Sequence, residues 1–293
     1  MVSRDFYNAA ITKKSMPRCS ALLGSPHAQR YDKHERKRRG NLKSLRPSMQ
    51  DREQCADGVS AKETGKTAEN SAFSGLMIER LSKSYGPEQV LKEVSLTLAP
   101  GCALGVCGGN GTGKTTLLQL IASILKPDEG RIMLNGVAAG RGAKYREMIG
   151  FVPQDIALSQ RLSVRHNLDF WASVNGLSGQ ALKQSVDRVT ALTNIGNFLD
   201  KRVSACSGGM QRRVNLAAGL VGNPLLILLD EPTAGIDEEN RDPILEAILS
   251  LKQDGKMVMM VNHYHQELSA VCDRVVTLRD GFILGSMPPQ TGG

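Results

Sequence analysis

The apolar positions of this chain fall into two regimes. Residues 1–75 keep neither a two-residue nor a 3.6-residue period, whereas from Leu76 onward the pattern is dense. "MIERLSKSYG" and "VSLTLAP" read as half-buried strands, and "ALGVCG" (103–108) as a short buried strand running into a glycine loop. "KTTLLQLIASIL" (114–125) spaces its apolar residues as a helix does, and "GRIMLNG" returns to a strand. Residues 163–201 are helical in pattern, and in "ALKQSVDRVTAL" Leu182, Val186, Val189 and Leu192 share one face. The runs "LLILL" (225–229) and "MVMMV" (257–261) have no polar alternation, as expected of parallel strands buried on both faces. Between them "ILEAILSLKQDG" is a helix stopped by Gly255, and "RDGF" (279–282) offers an Asp-Gly hairpin turn. Strands alternating with helices predict an α/β fold, with the helical block 163–222 long enough to be a subdomain set into it.

Charge sharpens the division. Residues 1–75 hold 15 Lys/Arg against 8 Asp/Glu, leaving 22 against 21 in the remainder. Of the net charge of +8, +7 therefore belongs to the first quarter, which is rich in Ser, Lys, Arg and Gly around "KHERKRR" (33–39) and reads as a disordered, solvated extension. Contact with anionic lipid or RNA through that segment, or a physiological start at Met77, are the other readings it allows. A charge of +7 spread over such a segment supports only non-specific, salt-sensitive attraction to nucleic acid. The six cysteines (Cys19, Cys55, Cys102, Cys107, Cys206, Cys272) have no metal-ligand spacing and read as free thiols. No apolar run reaches the roughly 18–20 residues that cross a bilayer.

The strongest chemical signal is "GGNGTGKTT". Gly108, Gly113, Lys114 and Thr115 stand in the spacing G-x-x-x-x-G-K-[ST], after a strand and before a helix. Glycines let backbone N–H groups turn inward around a β-phosphate, and the helix start adds its positive dipole end. Lys114 can reach the β and γ oxygens, and the Thr115 hydroxyl can ligate Mg²⁺. Asn110, Gly111 and Thr116 of the same loop complete the candidate nucleotide-binding set. "LLILLDEP" places Asp230 and Glu231 at the end of a buried strand, where open α/β sheets bind ligands. Asp230 is the candidate for the Mg²⁺ shell and Glu231 for polarising the attacking water. His263 ends the next apolar run, where it is either structural or in contact with the γ-phosphate.

Taken in order, the phosphate loop, "FVPQD", "CSGGMQRR", "LLILLDEP", "AGID" and "NHYH" resemble the ATP-binding subunit of ABC transporters over residues 76–288. The resemblance implies a P-loop NTPase of the ABC ATPase type: a mostly parallel core sheet, an antiparallel β subdomain and an inserted helical subdomain at about 155–222, with 289–293 as a tail. It also implies roles. Tyr85 stacks on adenine, Gln154 senses Mg²⁺ and the membrane subunit, and Ser207, Gly208 and Gly209 form the signature. Asp237 is the D-loop aspartate and His263 the switch histidine, beside catalytic Glu231 and Lys114. Two copies would pack head to tail, each bringing its signature helix to the nucleotide of the other. The bland alternative within one chain is a serine-capped helix start.

The likeness is greatest to exporter ATPases, which implies ATP and Mg²⁺ as cofactors, a homodimer, a polytopic membrane-spanning partner and a place at the cytoplasmic face of the membrane. A soluble ABC ATPase of DNA repair or the ribosome is the alternative, but neither a long coiled-coil insertion nor a second cassette is present. Two departures from the family pattern stand out. The signature has Cys206 and Met210 where Leu and Gln are usual, and Cys206 is expected to face away from phosphate. Pro243 sits where a helix should be under way, so a late start is predicted, with Asp242 as cap and Pro243 at the first helical position.

Overall fold

The computed structural model describes residues 74–287 apart from Arg141. The expected basic extension thus lies outside the described residues except for its last two positions. Two sheets organise the rest. The first is antiparallel, in the order β2-β1-β4-β5, from β1 (Leu76–Tyr85), β2 (Glu88–Leu98), β4 (Glu129–Leu134) and the short β5 (Val137–Ala138). The second has the order β10-β9-β3-β8-β7-β6 and carries the site. It comprises β3 (Ala103–Cys107), β6 (Ile149–Val152), β7 (Leu226–Asp230), β8 (Met257–Val261), β9 (Arg274–Arg279) and β10 (Phe282–Met287).

The unbroken apolar runs behave as predicted. Every residue of β7 and β8 is buried, and the two pair in parallel register, Leu228 opposite Met259 and Asp230 opposite Val261. β3 lies parallel to both β8 and β9, and β6 runs parallel to β7. In this second sheet, among the described residues, only β10 runs antiparallel, joined to β9 by a turn in which Asp280 and Gly281 both have positive φ, 51° and 85°, as the Asp-Gly hairpin requires. Leu104, Val106, Leu117, Leu118, Leu228 and Met259 meet in one core with Leu76, Ile78 and Leu81 of β1. Each such side chain contributes about 1.5–3 kcal/mol by leaving water.

The helices are α1 (Lys114–Ile121), α2 (Ala143–Glu147), α3 (Val164–Val174), α4 (Gly179–Leu192), α5 (Gly208–Leu220), α6 (Glu238–Gln253) and α7 (His265–Val271). α3, α4 and α5 form the expected helical region. α1 ends a turn before the apolar pattern does. Ser123 takes a left-handed φ of 55°, and Ile124 and Ser123 donate N–H bonds back to Gln119 and Leu120, which closes the helix.

The late start expected at Pro243 is not found. α6 begins at Glu238 with Asp237 as its cap, and Pro243 lies inside it. As the sixth helical residue, Pro243 lies past the first turn and forfeits the intrahelical bond to the Glu239 carbonyl, at the cost of about 3 kcal/mol or more of an interior proline. The Asp237 carboxylate accepts from Asn240 N–H at 2.9 Å and from the Asn240 side chain at 2.8 Å, so the early start is firmly capped. Cys107, Cys206 and Cys272 are free thiols, as expected, and Cys206 is buried with its thiol on the Arg202 carbonyl. Cys102 departs from the expectation, being disulfide-bonded.

Candidate functional site

β3 ends at Cys107 and α1 begins at Lys114, so Gly108–Gly113 must turn the chain within six residues. Two glycines are obligatory. A Cβ on Gly108 would stand 2.4 Å from the Leu278 carbonyl oxygen, and one on Gly113, at φ +98°, would stand 2.7 Å from a Val90 methyl. Lys114 is only 6% exposed and folds back over the loop, its ammonium donating to the carbonyls of Gly108 (3.0 Å) and Gly109 (2.6 Å). Burial lowers its pKa, against the opposing pull of Glu231, Asp230 and Cys107. Asn110, Gly111 and Thr115 are exposed at the lip, and Thr116 is half-buried beside them.

The carboxylates arrive from the next strands. Asp230 closes β7 and is almost wholly buried; that burial, then the neighbouring Glu231 charge, pushes its pKa up, while a hydrogen bond with the Thr115 side chain pulls it down. Glu231 follows in a left-handed conformation, φ 48°, with its N–H on the Val261 carbonyl at 3.0 Å. Both of its oxygens are engaged. Gln154, just beyond β6, donates its side-chain amide to Oε2 at 2.9 Å, and His263, just beyond β8, meets Oε1 with Nε2. Gln154, Glu231 and His263 therefore converge from three adjacent parallel strands at their carboxyl ends, the place where open α/β sheets hold ligands.

The signature stands apart from this cluster. Ser207 caps α5, its hydroxyl oxygen accepting from Met210 N–H at 3.3 Å, and Gly208 is exposed with no atom within 4 Å of where a Cβ would be. Among the described residues no hydrogen bond or ion pair joins Ser207, Gly208 or Gly209 to the phosphate loop, Asp230 or Glu231. Gly209 is buried against Asn240, the residue that donates to Asp237, because a side chain there would stand 2.3 Å from the Asn240 amide carbon. Tyr85 is half-exposed at the end of β1, with the Lys83 ammonium 5.8 Å from its ring centre and Lys83 paired to Asp128 at 2.7 Å.

Two groups of residues around the site have no role assigned by the sequence, although Arg212 and Asn262 lie inside the quoted motifs. Arg212 donates to the Gln154 carbonyl, and Asn215, buried mid-helix, both accepts from Ala157 N–H (3.0 Å) and donates to the Pro153 carbonyl (3.1 Å). Behind His263, the buried Glu267 accepts from Thr233 and from Asn262 (2.7 Å) and is paired to Arg241 at 3.0 Å. An asparagine within the apolar face of "VNLAAGL" was the one visible hint; its partners are far away in sequence.

The family model described as "ABC transporter" matches residues 91–234. The linearmycin resistance ATP-binding protein LnrL of Bacillus subtilis is 35% identical over 207 residues, covering 70% of this chain and 67% of that protein. The Nod factor export ATP-binding protein I of Paraburkholderia xenovorans is 35% identical over 209 residues, covering 71% and 69%. Among solved structures, cbiO1 of Clostridium perfringens, described as part of an ABC transporter complex, superposes with a TM-score of 0.67 at 30% identity, over 74% of this chain and 89% of that one. An ATP-binding cassette solved as a dimer in a post-hydrolysis state with ADP and phosphate matches equally, TM-score 0.67 at 25% identity, over 74% and 100%. A phosphate loop whose lysine sits within the field of two strand-end carboxylates, in a chain with these relatives, places the protein in the ABC transporter family as an ATP-binding ATPase.

Proposed function

We propose that the chain hydrolyses MgATP as a head-to-tail dimer and that closure of the dimer drives export through a separate, polytopic membrane subunit at the cytoplasmic face. The observation that carries this reading is the convergence of Gln154 and His263 on the two oxygens of Glu231, beside the Thr115–Asp230 pair. A relative named for Nod factor export supports the transport direction, and another is named for linearmycin resistance. Among the described residues no helix is long and apolar enough to cross a membrane, so the path for cargo belongs to another chain in this reading.

In that reading Tyr85 stacks on adenine, and Asn110, Gly111, Gly113 and Thr116 line the phosphates with their backbone and side chains. Water attacks the γ-phosphorus, its proton passes to Glu231, and ADP leaves with phosphate. Lys114 and His263 stabilise charge on the transferring group. Mg²⁺ fits the donor set, since Thr115 and Asp230 offer hard oxygen atoms already hydrogen-bonded to one another. Thr115, Asp230 and Gln154 would hold it, and when bound it neutralises phosphate charge. Ser207, Gly208 and Gly209 serve the nucleotide of the second copy, with Asp237 at the same interface.

Replacing a general base removes about 10²–10⁴-fold of the rate. Glu231→Gln keeps the shape and the acceptor for Gln154, so it is expected to retain ATP and to accumulate as a nucleotide-bound dimer on size exclusion. Wild-type turnover in that variant would remove Glu231 from the mechanism.

A further inference from the structure

Gly208, Arg212, Asn215 and Gly219 are spaced by four, three and four residues, so they lie along one face of α5. That face rests on the strand and loop leading to Gln154. At its far end two glycines allow backbone contact: a Cβ on Gly150 of β6 would stand 2.3 Å from the Gly219 carbonyl oxygen, and one on Gly219 would stand 2.6 Å from a Val152 methyl. One turn nearer the tip, Asn215 bridges Pro153 and Ala157; a further turn on, Arg212 holds the Gln154 carbonyl. Trp171 of α3 adds a bond from its indole N–H to the Ala157 carbonyl at 3.2 Å. The segment 153–157 is thus fixed to helices, and the Gln154 side chain that leaves it reaches the Glu231 carboxylate. Gly208, at the opposite end of the same face, stands open.

We propose that Arg212 and Asn215 are positioning residues that carry a movement of the α5 tip to Gln154, and through it to Glu231, so that filling one composite site sets turnover at the other. The proposal rests on the head-to-tail reading above, in which the α5 tip meets the partner's nucleotide while Glu231 serves the chain's own. The mechanical argument is local. A helix pinned at Gly219 and pushed at Gly208 must tilt, and its middle is where the Gln154 segment is attached. The electrostatics of Arg212 suit this role. Burial lowers its pKa, and Asp155 and Glu231 oppose that by favouring its charged form. Its guanidinium therefore stays within the field of the carboxylate that it helps to place.

The test is the ATP dependence of steady-state hydrolysis by the full-length chain, in Asn215→Ala and in Arg212→Ala. With two coupled sites the wild-type protein is expected to show a Hill coefficient of about 2, and the variants about 1. Maximal turnover should fall about tenfold while half-saturating ATP moves less than about twofold, a split that a general loss of packing would not produce. Variants that keep the wild-type coefficient overturn the proposal, whatever happens to their melting temperatures. A wild-type coefficient near 1 overturns the cross-site role, and size exclusion of the ATP-bound Glu231→Gln chain reads the dimer separately, so the two failures are told apart. Should Asn215→Ala not fold, Arg212→Ala, which alters a partly exposed side chain, decides the matter.

Discussion

Two helix starts in this molecule face the same chemical problem and solve it oppositely. α1 begins at Lys114 after a left-handed Gly113, has no side-chain cap, and lies under a loop whose carbonyls hold its own lysine. α5 begins at Gly208 after Ser207, is capped by that serine, and projects a glycine with nothing near it. The first is crowded because strand, loop and helix of one chain complete it. The second is bare because none of the described residues covers it. A backbone anion site can be finished internally, or it can be left as one wall of a site that another surface must close.

The comparison can be broken at either end. The largest effect is expected at α1. Lys114→Ala removes a buried cation facing two carboxylates and should weaken ATP binding about 10³-fold, read by titration of a fluorescent nucleotide. At α5 the effect should be selective. Gly208→Val adds bulk in open space, so the isolated chain should bind ATP as before and melt unchanged, while turnover falls about 100-fold because the second wall can no longer approach. Equal losses of binding and turnover in that variant would erase the distinction between the two helix starts.

The smallest effect sharpens the internal half. Burial raises the Asp230 pKa, so the native state holds a proton that the unfolded chain releases. That contribution favours the fold at acid pH, and it is lost as pH rises from the ordinary aspartate value to the raised one. At neutral pH the nucleotide-free protein therefore carries a buried carboxylate whose desolvation Thr115 and Lys114 only partly offset. Asp230→Asn should stabilise it by about 1 kcal/mol, a few degrees in melting temperature, while Mg²⁺-dependent ATP binding is lost. A lower melting temperature in this variant would count against the buried-charge account.

The parts that were legible in the sequence are those whose signal is contiguous. β7 and β8 announced themselves as unbroken apolar runs, and the Asp-Gly pair marked its hairpin. The phosphate loop showed its glycines and lysine within nine residues. Pro243 misled because propensity treats an interior proline as a break, whereas Asp237 and Asn240 cap the helix one and a half turns earlier. The attachments made by Arg212 and Asn215, and the network of Thr233, Asn262, Glu267 and Arg241, could not be read. They join segments that lie far apart along the chain, through polar contacts that leave no period in it.

Glu231 sits at φ 48°, a conformation that disfavours any side chain by about 1–2 kcal/mol and that glycine adopts freely. Under the proposed role of Glu231 in activating water, robustness and turnover pull in opposite directions at this one position. A laboratory campaign that rewarded survival of heating alone would drift toward glycine there, and would end with a sturdier molecule that grips its fuel without burning it.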